Sequence, residues 1–125
     1  MSKRQSVEPP GKEHKSPIPM GCKIGNIVYS SAIGGDDPAT GKTSPDPAEQ
    51  AKTMMENVRR FMTAAGGTPE DIIRLTLYVQ DKKIREYFNK EWLAMFPDPH
   101  SRPARHALVV DLEKKLFQVE VVAVL

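Results

Sequence analysis

One cysteine, Cys22, stands in 125 residues, so an internal disulfide is excluded and a reducing, cytoplasmic setting is the expectation. No window comes near the roughly 18 apolar residues of a membrane span. The N-terminal charges are not followed by the apolar core of a secretory signal. An excess of one charge is missing too: 18 Lys and Arg face 16 Asp and Glu, a net charge of +2, too even to argue for a nucleic-acid partner. The histidines, His14, His100 and His106, fall in a tail, a loop and a strand without ligand spacing, so no metal site is expected. There is no Gly-x-Ser-x-Gly elbow, no Cys–His arrangement, no Gly-x-Gly-x-x-Gly, and Gly41-Lys42-Thr43 lacks the upstream glycine of a phosphate loop. Nucleotide, metal and triad chemistry thus have no visible footing.

What is present fits one domain of ordinary composition, 39% hydrophobic and 27% charged. Residues 1–15 are polar, carry Pro9-Pro10-Gly11, and show no apolar period, which predicts a flexible N-terminal arm ahead of a single domain over 16–125. Lys3, Arg4, Lys12 and Lys15 are interrupted by Glu8 and Glu13, as in a solvated tail. Ser16-Pro17-Ile18-Pro19 reads as extended. Residues 20–24 and 27–33 flank Gly25-Asn26 as a β-hairpin, the second strand apolar enough to be covered on both faces. Asp36-Asp37 reads as a turn satisfying its own backbone rather than a metal pair.

Asp46-Pro47-Ala48-Glu49 starts a helix, and Ala51, Met54, Met55, Val58, Phe61, Met62 and Ala65 follow at helical period until Gly66-Gly67. That period makes the methionine stripe a core face rather than a binding groove. Ile73, Leu75, Leu77 and Val79 alternate with polar residues as a strand, and a second helix follows over about 82–96. Two strands, about 105–110 and 116–125, close the chain. The order β-β-α-β-α-β-β predicts an α+β fold, with two helices on one face of a mixed sheet of about five strands. The opposite face would keep apolar side chains, which predicts packing on other subunits.

Glu120 is the unusual residue, a carboxylate inside an apolar strand, and Arg105 opens the preceding one. If the two strands pair, these side chains can meet. Two readings follow: a salt bridge that fastens the strands, or a guanidinium that grips an anion while the carboxylate handles protons beside it. Asn89, at the edge of the second helix's apolar face, reads as a solvated residue taken alone.

Arg102-Pro103-Ala104-Arg105, Val119-Glu120-Val121-Val122-Ala123-Val124, Gly25-Asn26-Ile27-Val28-Tyr29 with Ser31, Asp37-Pro38-Ala39-Thr40-Gly41, Ala64-Ala65-Gly66 and Asn89 together resemble the RidA/YjgF family of reactive-intermediate deaminases over about 16–125. The resemblance implies a chorismate-mutase-like homotrimer with a central β-barrel, helices outside, and clefts between subunits. It implies hydrolysis of small carboxylate-bearing imines and enamines to keto acids and ammonia, without metal or cofactor. Arg105 would hold the substrate carboxylate, Glu120 would activate water, Asn89 would support the site, Ser31 and Ile18 would line it, and the backbone around Ala107 would help hold the water. Three positions depart from the family: Ile18 replaces an aromatic residue, Ala32-Ile33 replaces Gly-Gln, and His106 replaces a small hydroxyl residue. They imply a paralogue with altered substrate preference. The competing readings are a deaminase of larger, aminomuconate-type enamines and a non-catalytic trimer that binds a small carboxylate. RNA cleavage, found in some members, ranks last because no basic-aromatic stripe supports it.

Overall fold

The computed structural model describes residues 3–10 and 17–125. Its strands are β1 (Gln5–Val7), β2 (Gly21–Ile24), β3 (Ile27–Ser30), β4 (Ile33–Gly34), β5 (Ile72–Val79), β6 (Ala104–Val109) and β7 (Phe117–Val124). The helices are α1 (Pro47–Ala65) and α2 (Arg85–Met95), each preceded or followed by short 3-10 turns. One sheet runs β1-β2-β3-β7-β5-β6, with β4 also paired to β7. Only β5 and β6 are parallel among the described strands. They are joined through α2, the crossover that parallel neighbours require. The expected α+β class holds.

Local chemistry sets the helix ends. Asp46 accepts a hydrogen bond from the Glu49 N–H, Pro47 occupies the first turn, and Gly66, at φ 93°, closes α1 in the left-handed conformation. The β2–β3 turn uses Gly25 at φ 57°. Met54, Met55, Val58, Phe61 and Met62 of α1 are buried with Phe88 and Trp92 of α2 against Leu75, Leu77, Phe117, Val119 and Val121. The methionine stripe is therefore core, as its period predicts.

Five expectations need correction. Within the arm expected over 1–15, residues 5–7 form β1 on the edge of β2, and Val7 is 4% exposed; three residues are too few to show a strand period in sequence. Residues 1–2 and 11–15 of that arm, and also Ser16, lie outside the described residues. The strand expected over 27–33 breaks after Ser30. At the break the Ser30 hydroxyl accepts the Val121 N–H at 2.8 Å, replacing one backbone bond of the ladder before β4 resumes pairing. That strand is not covered on both faces within one chain: Val28 is buried, while Ile27 and Tyr29 are 48% and 57% exposed. Ile73 leaves the apolar face expected of β5, because a bulge between Ile72 and Arg74 shifts the register and turns it outward.

The last correction bears on function. The strands carrying Arg105 and Glu120 do not pair; β5 lies between them. The chain leaves β6, crosses the end of β5 and returns as β7. Gln80 fastens this crossing by accepting the Leu112 N–H at 2.6 Å and bonding Asp111 through its amide nitrogen.

Gln50 is the polar anchor between α1 and this returning strand. It is 1% exposed; its carbonyl accepts the Leu116 and Phe117 N–H groups, and its amide donates to the Ser44 carbonyl. Gln50→Leu keeps the volume but strands two backbone donors. It should cost about 2 kcal/mol, read as a lower urea midpoint at unchanged slope.

Candidate active site

Side-chain alternation sorts the candidate residues onto two faces of the sheet. On β7 the odd positions, from Phe117 to Ala123, are buried under the helices, and the even positions Gln118, Glu120, Val122 and Val124 face the other way. On β5 Leu75, Leu77 and Val79 face the helices, while Thr76 and Tyr78 share the side of Glu120. On β6 Arg105 sits opposite Leu75 and Ala107 opposite Leu77, so both belong to the helix side; His106, opposite Thr76, does not. Arg105 and Glu120 of one chain therefore occupy opposite faces, with β5 between their strands.

On the helix side, the Arg105 guanidinium lies 4.9 Å from the Phe88 ring centroid and 5.2 Å from that of Trp92. Its Nη2 donates to Asn89 Oδ1 at 2.6 Å. Two rings and one amide thus aim a planar cation. Phe88, Asn89 and Trp92 fall within about one helical turn on α2, so a single helix supplies all three contacts. Burial, and then the nearby charge of Arg85, push the Arg105 pKa down from its ordinary value, yet a guanidinium stays protonated at any physiological pH. Arg85, Asn89, Trp92, Leu93, Arg105 and Ala107 line an open recess of about 620 Å³. The other arginine of the segment, Arg102, is structural. Its Nε donates to the Phe96 carbonyl at 2.8 Å, holding the chain that leaves α2.

On the opposite face, half-buried Glu120 receives the Tyr78 hydroxyl on Oε1 at 2.7 Å. Tyr78 stands diagonally across the strand pair, since Thr76 is opposite Glu120 and Tyr78 opposite Gln118. The hydrogen bond to Glu120, then burial, then the carboxylate charge push the Tyr78 pKa above its ordinary value. One carboxylate oxygen is thus held by a neutral phenol. Ser31 follows directly on the hydroxyl that fills the ladder at Val121; its own Oγ donates to the Pro19 carbonyl at 2.8 Å, tying the segment of Ile18 to this place. Ile18 is 59% exposed. His106 is exposed and lies on the same row as Thr76 and Glu120, two interstrand spacings away, roughly 10 Å.

The structure thus brings together Arg105, Asn89 and Ala107 as one group and Glu120 with Tyr78 as another, while Ser31 ties the Ile18 segment to the place where Ser30 meets β7. It does not bring the two groups together within one chain. Asn89 is no plain solvated residue, because it bonds Arg105. Sequence reasoning misses Tyr78; the signal for it is a phenol on the strand face that confronts a buried-strand carboxylate. Among the described residues no group of three or more His, Cys, Asp and Glu side chains is placed to hold a metal ion. No described helix is long and apolar enough to cross a membrane.

The Tyr78–Glu120 bond carries its own test. Because the folded pKa is raised, the bond contributes below the ordinary tyrosine value of about 10 and is lost as pH rises through the higher folded value. An ultraviolet titration should show a tyrosinate step above the ordinary tyrosine range, and Tyr78→Phe should remove it.

The α+β sheet thus carries a clamped guanidinium on one face and a phenol-held carboxylate on the other. The family model described as Endoribonuclease L-PSP matches residues 17–125. The chain belongs to this family, that of the RidA/YjgF proteins. It is 30% identical over 109 residues to a 2-iminobutanoate/2-iminopropanoate deaminase of Salmonella typhimurium, covering 86% of this chain and 85% of that protein. It is 29% identical over 116 residues to a RutC family protein of Pyrococcus abyssi, covering 88% of this chain and 90% of the relative. The crystal structure of the Escherichia coli YjgF gene product superposes with a TM-score of 0.86 at 26% identity, over 96% of this chain and 98% of that one.

Proposed function

We propose that the protein hydrolyses reactive imines and enamines to keto products and ammonia, at sites assembled between copies of the chain. The observation that carries this reading is the division of the site. A half-buried guanidinium, aimed by Asn89 and two rings, is set to take a carboxylate in fork geometry. A half-buried carboxylate with one oxygen occupied by Tyr78 is set to take a proton on the other. In the reaction the water oxygen bonds to the imine carbon and Glu120 accepts the water proton. That proton passes to nitrogen, giving a carbinolamine; Glu120 then takes the hydroxyl proton and hands it to nitrogen, the C–N bond breaks, and ammonia leaves as the carbonyl forms. The backbone around Ala107 helps hold the water, and Ser31, Ile18 and His106 shape the cleft. The names of the relatives point the same way.

Assembly follows from the faces. Since Arg105 and Glu120 of one chain are separated by the sheet, they can act on one substrate only if two chains contribute. The exposed apolar residues Ile24, Ile27, Tyr29 and Val124 form a continuous register on β2, β3 and β7, the kind of surface that associates. The reading is a homotrimer around a central barrel of these faces. Light scattering should give about three times the chain mass of 13.9 kDa, and Tyr29→Asp should lower that mass and the activity together.

The direct test generates a 2-imino acid in situ with an amino-acid oxidase and follows keto-acid release. Acceleration by the wild-type protein is expected; release at the uncatalysed rate would refute the deaminase reading for that substrate class.

A further inference from the structure

The recess around Arg105 holds a second cation that the reaction as written does not use. Arg85, Asn89, Trp92 and Leu93 fall at i, i+4, i+7 and i+8 of α2, a single stripe along the helix. That stripe lines the recess together with Arg105 and Ala107. Both charged residues of this lining are arginines, and no carboxylate is among them. Among the described residues neither guanidinium is bonded to an acidic side chain: Arg105 is held by an amide and two rings, and its nearest influential charge is that of Arg85.

Arg85 stands at the helix end of the recess. It is the first residue of α2, directly after the 3-10 turn Lys82–Ile84 that Asp81 caps. Two uncompensated like charges around one open recess raise the local concentration of anions. They favour an anion that can neutralise both. A lone carboxylate on Arg105 would leave Arg85 unanswered.

We infer that the recess is built for a doubly charged ligand, with one carboxylate on Arg105 and a second on Arg85, so that the preferred substrates are 2-imino dicarboxylates, the imines of acidic amino acids. This rests on the deaminase reading for its chemistry. The charge preference of the recess is measurable without turnover.

The experiment uses the full chain, wild type and Arg85→Gln, with 2-oxoglutarate and 2-oxobutanoate as probes of double and single charge. Arg85 is exposed, so the substitution leaves the core untouched. By calorimetry the wild-type protein should bind 2-oxoglutarate about ten-fold tighter than 2-oxobutanoate, the scale of one hydrogen bond to a charged group. Arg85→Gln should abolish that preference, lowering 2-oxoglutarate affinity about ten-fold more than 2-oxobutanoate affinity. Equal affinities in the wild-type protein, a preference that survives Arg85→Gln, or binding of neither anion overturns the inference. A parallel assay supplies the imines of glutamate and 2-aminobutanoate from an amino-acid oxidase. A kcat/KM preference for the glutamate imine that disappears in Arg85→Gln supports it. Turnover of both imines with equal kcat/KM overturns the dicarboxylate preference and leaves the deaminase standing. Turnover of neither, beside Arg85-dependent binding of 2-oxoglutarate, sinks the deaminase reading and leaves the anion site standing.

Discussion

Arg105→Ala should lower kcat/KM for imine hydrolysis by roughly a thousandfold. A bidentate carboxylate grip comprises two hydrogen bonds to a charged group, each worth about 1.5–3 kcal/mol. Losing about 4 kcal/mol of transition-state binding corresponds to that factor. The loss should divide between KM and kcat, because the fork sets both occupancy and the angle at which the imine carbon meets water. Arg105→Lys keeps the charge but not the fork, and a single ammonium cannot lie flat over Phe88 and Trp92 while bonding Asn89. Its rate should fall between wild type and Arg105→Ala. Equal activity of the lysine variant and wild type would show that the carboxylate is held elsewhere. The alanine variant should stay folded, since Arg105 lies on the edge strand β6 and only half-buried.

Glu120→Gln should reduce kcat by about a hundred- to ten-thousand-fold, the range of a positioned general base, with little change in KM. The substitution is close to isosteric, and the amide carbonyl can still accept the Tyr78 hydroxyl. The fold and the shape of the cleft are thereby kept while the proton acceptor is removed. A variant that retained wild-type kcat would reduce Glu120 to a strand-fastening role. The two variants also test assembly when combined. If each site draws Arg105 from one chain and Glu120 from another, a mixed oligomer of the two inactive variants contains some sites with both native residues. Co-refolding them should restore a measurable fraction of activity. If both came from one chain, every site would lack one group and the mixture would stay inactive.

The sequence makes some of this visible and hides the rest for definable reasons. The ends of α1 are legible because capping is local: Asp46, Pro47 and Gly66 act on neighbours within four residues. The hairpin at Gly25-Asn26 is legible on the same ground. The spatial order of strands is not, because adjacency in a sheet depends on where a crossover lands. The chain places β6 next to β7 in sequence and β5 between them in space. Consequently Arg105 and Glu120 stand out in the sequence, but the direct pairing it suggests for their strands is wrong. Asn89 gains meaning only once α2 is laid over β6, and Tyr78 only once β5 is registered against β7. The turn of Ile73 away from the core is a bulge, and nothing in an alternating apolar run announces one extra residue.

The sheet that divides the two groups also sets them in different surroundings. The guanidinium recess is walled by α2, where Arg85 and Leu93 are exposed and tolerate exchange without disturbing the core. The carboxylate sits on the other face, braced by Tyr78 and by strands packed beneath it. On the proposed reading, exchanges on the recess side change selectivity and leave the proton-handling side of the sheet untouched. A protein engineer could exchange the α2 stripe to change which anion is admitted and leave the chemistry as it was.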